Sequence, residues 1–293
     1  AFCVPGEGTG AYDPGGTDSM RLYYVNHKGV QIDLDRWPYW IQTGDILDWT
    51  WDHTEMGGRI RGFKRGVSSK KVTLTVNGQN HEEYLANLNH LPEVFELDLY
   101  AKTPGRLYVD ESYLNCYISG STKSEWEAAD TSMDQELKLV SDYPFWIEEM
   151  LYSFGKQVRK GRTGDYLDYP HDYPYDYTFR RQQDALLNPH YGDCDFMMIL
   201  YGPCTDPRIV IAGQIYEVKT KIKEGEYLVI QSREGLVYRV TQDGEQVNEF
   251  ANKNNEYPLF AKIPPGSSTV SWSGDYGWEI TLYIERSEPR WIL

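Results

Sequence analysis

Hydrophobic residues in this chain recur mostly with a period of two, in short runs closed by Gly, Pro, Asn or Asp. That pattern predicts half-buried β-strands. The first run is 29–34. In 45–51, Leu47, Trp49 and Trp51 alternate with Ile46, Asp48 and Thr50; in 71–76, Val72, Leu74 and Val76 alternate with lysine and threonines. Asn77-Gly78 closes the latter run with a turn. The clearest helical pattern starts at Asn80, which can cap it, with Glu83 three residues on as in a capping box. Tyr84, Leu85, Leu88 and Leu91 then share a face, and Pro92 interrupts the pattern. Residues 92–101 read equally as a second helical piece or a strand. Residues 107–109 and 113–119 read as a hairpin, 121–134 as a polar loop and 136–140 as a strand. Residues 142–146 mark a corner before another strand that ends near 152.

From residue 193 onward the pattern is almost purely β. Strands are predicted at 196–201, 208–212, 214–222, 226–231, 236–241, 259–263, 268–272 and 279–285. In the third of these, Tyr216, Val218, Thr220 and Ile222 alternate with charged residues; in the last, Ile280, Leu282 and Ile284 face one way. Eight short strands with one apolar face predict a jelly-roll β-sandwich.

Between these halves lies GRTGDYLDYPHDYPYDY, residues 161–177, with five tyrosines, two prolines and four aspartates. It has neither helical nor strand periodicity, and each proline holds the residue before it extended. It reads as a stiff strap whose tyrosines Tyr166, Tyr169, Tyr173, Tyr175 and Tyr177 dock along a domain seam, or as an aromatic surface loop. The chain therefore divides into an irregular arm rich in Gly, Pro, Asp and Thr (1–20), an N-terminal domain (21–154), a basic and Tyr/Pro-rich connection (155–190) and a C-terminal sandwich (191–293).

With 293 residues the chain can form two domains with real cores. Its 29 basic and 44 acidic residues leave a net charge of −15, which argues against a nucleic-acid binder. No run is long enough to span a membrane. The first residues, AFCVPGEGTG, lack the basic and apolar regions of a secretory leader. Cys3, Cys116, Cys194 and Cys204 form no CxxC pair, which points to reduced thiols and intracellular synthesis, with a Cys194–Cys204 bond left open.

No GxSxG, HExxH, Walker loop or strand-bounded GxGxxG is present, so no catalytic, cofactor-binding or metal residue is assigned and the chain reads as a non-enzyme. His171 with Asp172 and Asp176 fixes no ligand count. Two features are more specific. Residues 59–71, RIRGFKRGVSSKK, hold six basic residues and no acidic one. Arg59, Arg61, Lys64 and Arg65 are candidates for a contact with an acidic surface of another copy or partner; a solvated connecting loop is the other reading. Aromatic residues are also abundant outside the core pattern, at Trp37, Tyr39, Trp40, Trp49 and Trp51, which suits interfaces or sugar stacking. Trp272, Tyr276 and Trp278 are the candidate sugar site, though Ser273-Gly274-Asp275 between them reads more simply as a turn.

The strap LDYPHDYPYDY, the preceding YPFWIEE and the segment MILYGPCTDPRIVIAGQIYEVKTKIKEGEYLVIQ, followed by NEF, LFAKIPPG, STVSW and IERSEPRW, resemble the distal tail proteins of long-tailed, siphovirus-type phages. The resemblance runs from about residue 20 to the end. It implies an N-terminal belt domain, a β-sandwich with a helix, that closes a hexameric ring, and a peripheral galectin-like C-terminal β-sandwich. It also implies a virion tail-tip location after assembly in the host cytoplasm. The implied partners are further copies of the chain, the tail tube protein, a tail-tip or tail-associated protein and receptor-binding proteins. No membrane insertion and no cofactor are expected, and in a ring of this kind DNA is expected to pass through the lumen without specific binding. The competing expectations are a carbohydrate-binding adsorption protein using the C-terminal sandwich and, more distantly, a glycosidase.

Overall fold

The computed structural model describes residues 20–123, 127, 129–156 and 185–290. The protein is mainly β, with one α-helix among the described residues. It divides into two compact units, Ala1–Pro144 and Phe145–Leu293. The N-terminal arm up to residue 19 and the tyrosine strap lie outside the described residues.

The first unit contains β1 (Leu22–Val25), β2 (Gln31–Asp33), β3 (Asp35–Arg36), β4 (Tyr39–Gly44), β5 (Asp52–Met56), β6 (Arg59–Lys64), β7 (Ser68–Asn77), α1 (His81–Ala101), β8 (Gly105–Val109), β9 (Ser112–Lys123) and β10 (Ser132–Ser141). All but β5 and β6 join one curled antiparallel sheet in the order β2-β1-β8-β9-β10-β7-β4-β3. The curl is carried by β9. Ser112 to Cys116 pair with β8, and Tyr117 to Lys123 pair with β10, so one strand serves both sides of the core. The expected alternation in β7 is realised, with Val72, Leu74 and Val76 all buried.

Asn80 caps α1, its Oδ1 accepting from the Glu83 N–H at 2.9 Å, while Glu83 Oε2 accepts from the Gln79 N–H at 3.0 Å. The helix does not stop at Pro92; it continues to Ala101. Pro92 is exposed, where water can bond the carbonyl that the missing N–H leaves unpaired. Burial of Val94, Phe95 and Asp98 carries the second half. The expected apolar face is shifted: Tyr84 and Leu91 are buried, whereas Leu85 is exposed. The helix ends at Lys102, in the left-handed region at φ 53.

Residues 45–51 are not a strand. Asp45 ties this stretch to β7, its Oδ1 accepting from the Lys71 N–H at 2.6 Å and its own N–H donating to Lys71 O at 3.0 Å. A turn from Asp45 to Asp48 follows, and Ile46 enters the core while Trp49 and Trp51 stay exposed.

The second unit contains β11 (Trp146–Phe154), β12 (Ala185–Asn188), β13 (Asp195–Tyr201), β14 (Cys204–Thr205), β15 (Arg208–Ile211), β16 (Gln214–Glu217), β17 (Lys221–Ile222), β18 (Tyr227–Gln231), β19 (Leu236–Val240), β20 (Gln246–Asn248), β21 (Gly266–Trp272) and β22 (Trp278–Arg286). One sheet runs β20-β19-β18-β13-β22-β11 and a second β12-β21-β15-β16. Phe196, Leu228 and Ile280 of the first share one core with Leu186, Ile209 and Ile211 of the second. Strand β11 pairs with β22 along its whole length, from Trp146↔Arg286 to Phe154↔Trp278, so this unit begins before residue 154. Residues 259–263 form no strand; Ile263 makes only an isolated bridge to Cys194. The strand expected over 214–222 is split into β16 and β17, yet Tyr216, Val218 and Ile222 are buried as their alternation requires.

Candidate assembly surface

The basic stretch is not a single loop. Its first six residues are β6, which pairs with β5 in a hairpin joined by Gly57 and Gly58 at φ 63 and 72, and its last four begin β7. Two successive positive φ values give a turn whose twist suits paired strands, and glycine adopts them without a Cβ clash. Asp52 pairs opposite Lys64, and a bulge between Ile60 and Gly62 leaves Arg61 as the extra residue. This two-stranded sheet joins no other strand among the described residues.

Such a hairpin is marginal in water on its own. This one also carries exposed apolar side chains: Met56 is 70% exposed and Phe63 63%, Ile60 is exposed as well, and Val67, three residues beyond β6, is 73% exposed. At its base the Arg65 guanidinium lies over the Trp51 ring, 5.8 Å from the centroid, and partial burial lowers the Arg65 pKa. Exposed apolar side chains interleaved with cations describe a surface suited to a partner.

The six basic residues separate into two groups. Lys70 Nζ donates to Asp48 O at 2.5 Å, and Lys71 Nζ meets Glu136 at 2.8 Å, which raises the Lys71 pKa. These two are used within the unit. Arg59, Arg61 and Lys64 stand exposed on β6, with Arg65 beyond its end. Charge counting found the cations; it missed Met56, Ile60, Phe63 and Val67. The Gly57-Gly58 dipeptide was the signal that a hairpin sits there.

Trp272, Tyr276 and Trp278 come together, but in the core of the second unit. Trp278 is 1% exposed and stacks on Phe154 with centroids 4.2 Å apart. Tyr276 is 5% exposed, and its hydroxyl donates to Arg208 O at 3.1 Å; burial raises its pKa. Trp272 packs edge-on against Trp278 and donates Nε1–H to Tyr276 O at 3.2 Å. A sugar platform needs an open ring face, and the Trp278 and Tyr276 rings are closed in by protein.

The seam tyrosines Tyr166, Tyr169, Tyr173, Tyr175 and Tyr177, and His171, lie outside the described residues. Cys116, Cys194 and Cys204 are free thiols, and burial pushes them up to about 12, 11 and 11. Among the described residues no three His, Cys, Asp or Glu side chains gather as metal ligands, and no helix is long and apolar enough to cross a membrane.

No protein-family model matches the chain, and no curated protein matches it. Solved structures do match. The crystal structure of SPP1 Dit (gp 19.1), described as a paradigm of hub adsorption apparatus in Gram-positive infecting phages, is 9% identical with a TM-score of 0.57. That match covers 92% of this chain and 100% of the other. A chain of the phage P2 baseplate in its activated conformation with Ca is 14% identical, with a TM-score of 0.58 over 92% of this chain and 99% of that one. The corresponding phage p2 baseplate with Sr gives 14%, a TM-score of 0.60, 92% and 100%. The chain is thus similar in fold to a phage hub protein and to baseplate chains, nearly end to end.

Proposed function

We propose that this protein is a structural subunit of a phage tail tip, acting as a hub rather than as an enzyme. The observation that carries this reading is the end-to-end fold match: both units align within chains described as a hub and as baseplate components. In this reading six copies close a ring between the tail tube and the tip or baseplate, and receptor-binding proteins attach to it in the virion. The exposed hairpin supports the ring, because closed rings need a surface that engages a different surface on the next copy. The lumen passes DNA without gripping it, in keeping with a charge of −15 per chain, or −90 for six copies.

Light scattering after gel filtration, with negative-stain imaging, tests the ring. The expected result is a six-membered ring that weakens when Arg59, Arg61, Lys64 and Arg65 are reversed in charge. A twofold dimer, or a monomer at every concentration, overturns the ring. Rings unchanged by the reversal would remove the hairpin from the contact.

A further inference from the structure

We propose that the hairpin of one copy docks on the outer face of α1 of the next copy; this rests on the ring reading above. Helix α1 contains no lysine or arginine over its 21 residues. Its inner face is committed to the core through Tyr84, Leu91, Val94 and Phe95. On the outer face Glu82, Glu93 and Glu96 are exposed, and none of the three has an ion-pair partner among the described residues.

Spacing makes this a stripe. Glu93, Glu96, Leu97 and Tyr100 lie three, four and seven residues apart, so they share one side of the helix. Tyr100 is 84% exposed and Leu97 is exposed beside it. The stripe therefore alternates carboxylates with apolar side chains. Strand β6 offers the complement: Arg59, Arg61 and Lys64, none with an ion-pair partner among the described residues, interleaved with exposed Ile60 and Phe63. Burying Phe63 and Ile60 against Leu97 and Tyr100 removes apolar surface from water on both sides, and the charges set direction and register.

The two surfaces belong to the same unit, and both are exposed there, so they do not cover each other within one chain. Hairpin and helix are different patches. Their contact is head-to-tail, the kind that closes rings and not twofold dimers. Asp52 and Glu55 on β5 offset part of the hairpin's charge, and Glu55 is already 3.0 Å from His53. Strand β6 is therefore the edge that meets the helix.

The test uses the full chain carrying Cys3→Ser and Cys204→Ser, with Ile60→Cys and Leu97→Cys placed in one chain and in separate chains. A short bismaleimide is expected to give a ladder up to six copies from the double variant, a dimer from the mixture, and background from either single variant. In parallel, Glu93→Lys with Glu96→Lys should raise the concentration for half-assembly more than tenfold. Adding Arg61→Glu with Lys64→Glu should restore it, with circular dichroism unchanged throughout. Rings that form normally in the helix variant, with no 60–97 cross-link, overturn the docking and leave the ring standing. Absence of rings from the parent chain overturns both. A hairpin that binds duplex DNA in place of the helix, with no cross-link, also overturns the docking.

Discussion

Tyr24 and Asp98, 74 positions apart, meet in the core of the first unit, where the Tyr24 hydroxyl donates to Asp98 Oδ2 at 2.5 Å. Both side chains are fully buried. The other carboxylate oxygen accepts from the His27 N–H at 2.8 Å, so one helical residue holds β1 and the turn after it. Burial, with Cys116 and Asp98 nearby, raises the Tyr24 pKa and keeps the hydroxyl protonated as a donor. Gly105 makes room for the pair, since a Cβ there would lie 2.2 Å from the Tyr24 hydroxyl oxygen and 2.5 Å from Asp98 Oδ2. Tyr24→Phe leaves a buried carboxylate oxygen without its donor and should cost about 1–3 kcal/mol. Thermal unfolding reads this as a lower transition; an unshifted transition would count against the pair as an anchor.

A second prediction concerns acid. Buried Glu226 is surrounded by donors: the Lys223 N–H at 3.0 Å and Arg239 Nη1 at 2.9 Å, while Arg239 Nε reaches Glu249 at 3.0 Å. Burial raises the Glu226 pKa, but the backbone hydrogen bond and Arg239 together outweigh it, and the net shift is downward. A depressed carboxylate contributes stability above its unfolded pKa, about 4.3, and that stability is lost as pH falls through the folded value. Urea titrations at descending pH should show the parent weakening below about pH 4.3. Glu226→Gln should be less stable at pH 7 and have a flatter profile there; a profile identical to the parent's would refute the assignment.

Trp278 supplies a third. Its stacking on Phe154 makes it a core residue, so Trp278→Ala should cost about 3–5 kcal/mol and lower the unfolding transition. Calorimetry of the parent chain with host wall polysaccharide should show no micromolar binding. Micromolar binding, lost in Trp278→Ala while the fold survives, would restore the sugar reading.

The fourth prediction uses the basic segment that follows β11. Trypsin is expected to cut first at Lys156, Arg159, Lys160 or Arg162. The two fragments should co-elute in native buffer, because β11 pairs with β22 across nine residues, and separate in denaturant. Fragments that part without denaturant would mean that this pairing does not hold the nicked chain together.

The sequence by itself determined the strands whose two faces differ. In β7 and β22, successive side chains point to opposite sides, so the apolar sets Val72, Leu74, Val76 and Ile280, Leu282, Ile284 declare the buried face without help from the rest of the chain. The start of α1 was equally local, because Asn80 and Glu83 satisfy N–H groups of their own first turn. Only tertiary structure decided that α1 continues beyond Pro92, because Phe95 and Asp98 both meet Tyr24, a partner distant in sequence. It also decided that Ile46 and not Trp49 is buried, since Asp45 is tied to Lys71 across 26 positions. The candidate sites divide the same way. The cations of β6 and the Gly57-Gly58 turn are visible as residue types. That Trp278 is closed in while Phe63 is open to a partner depends on which other strands pass beside them, and hydrophobicity is the same in both places.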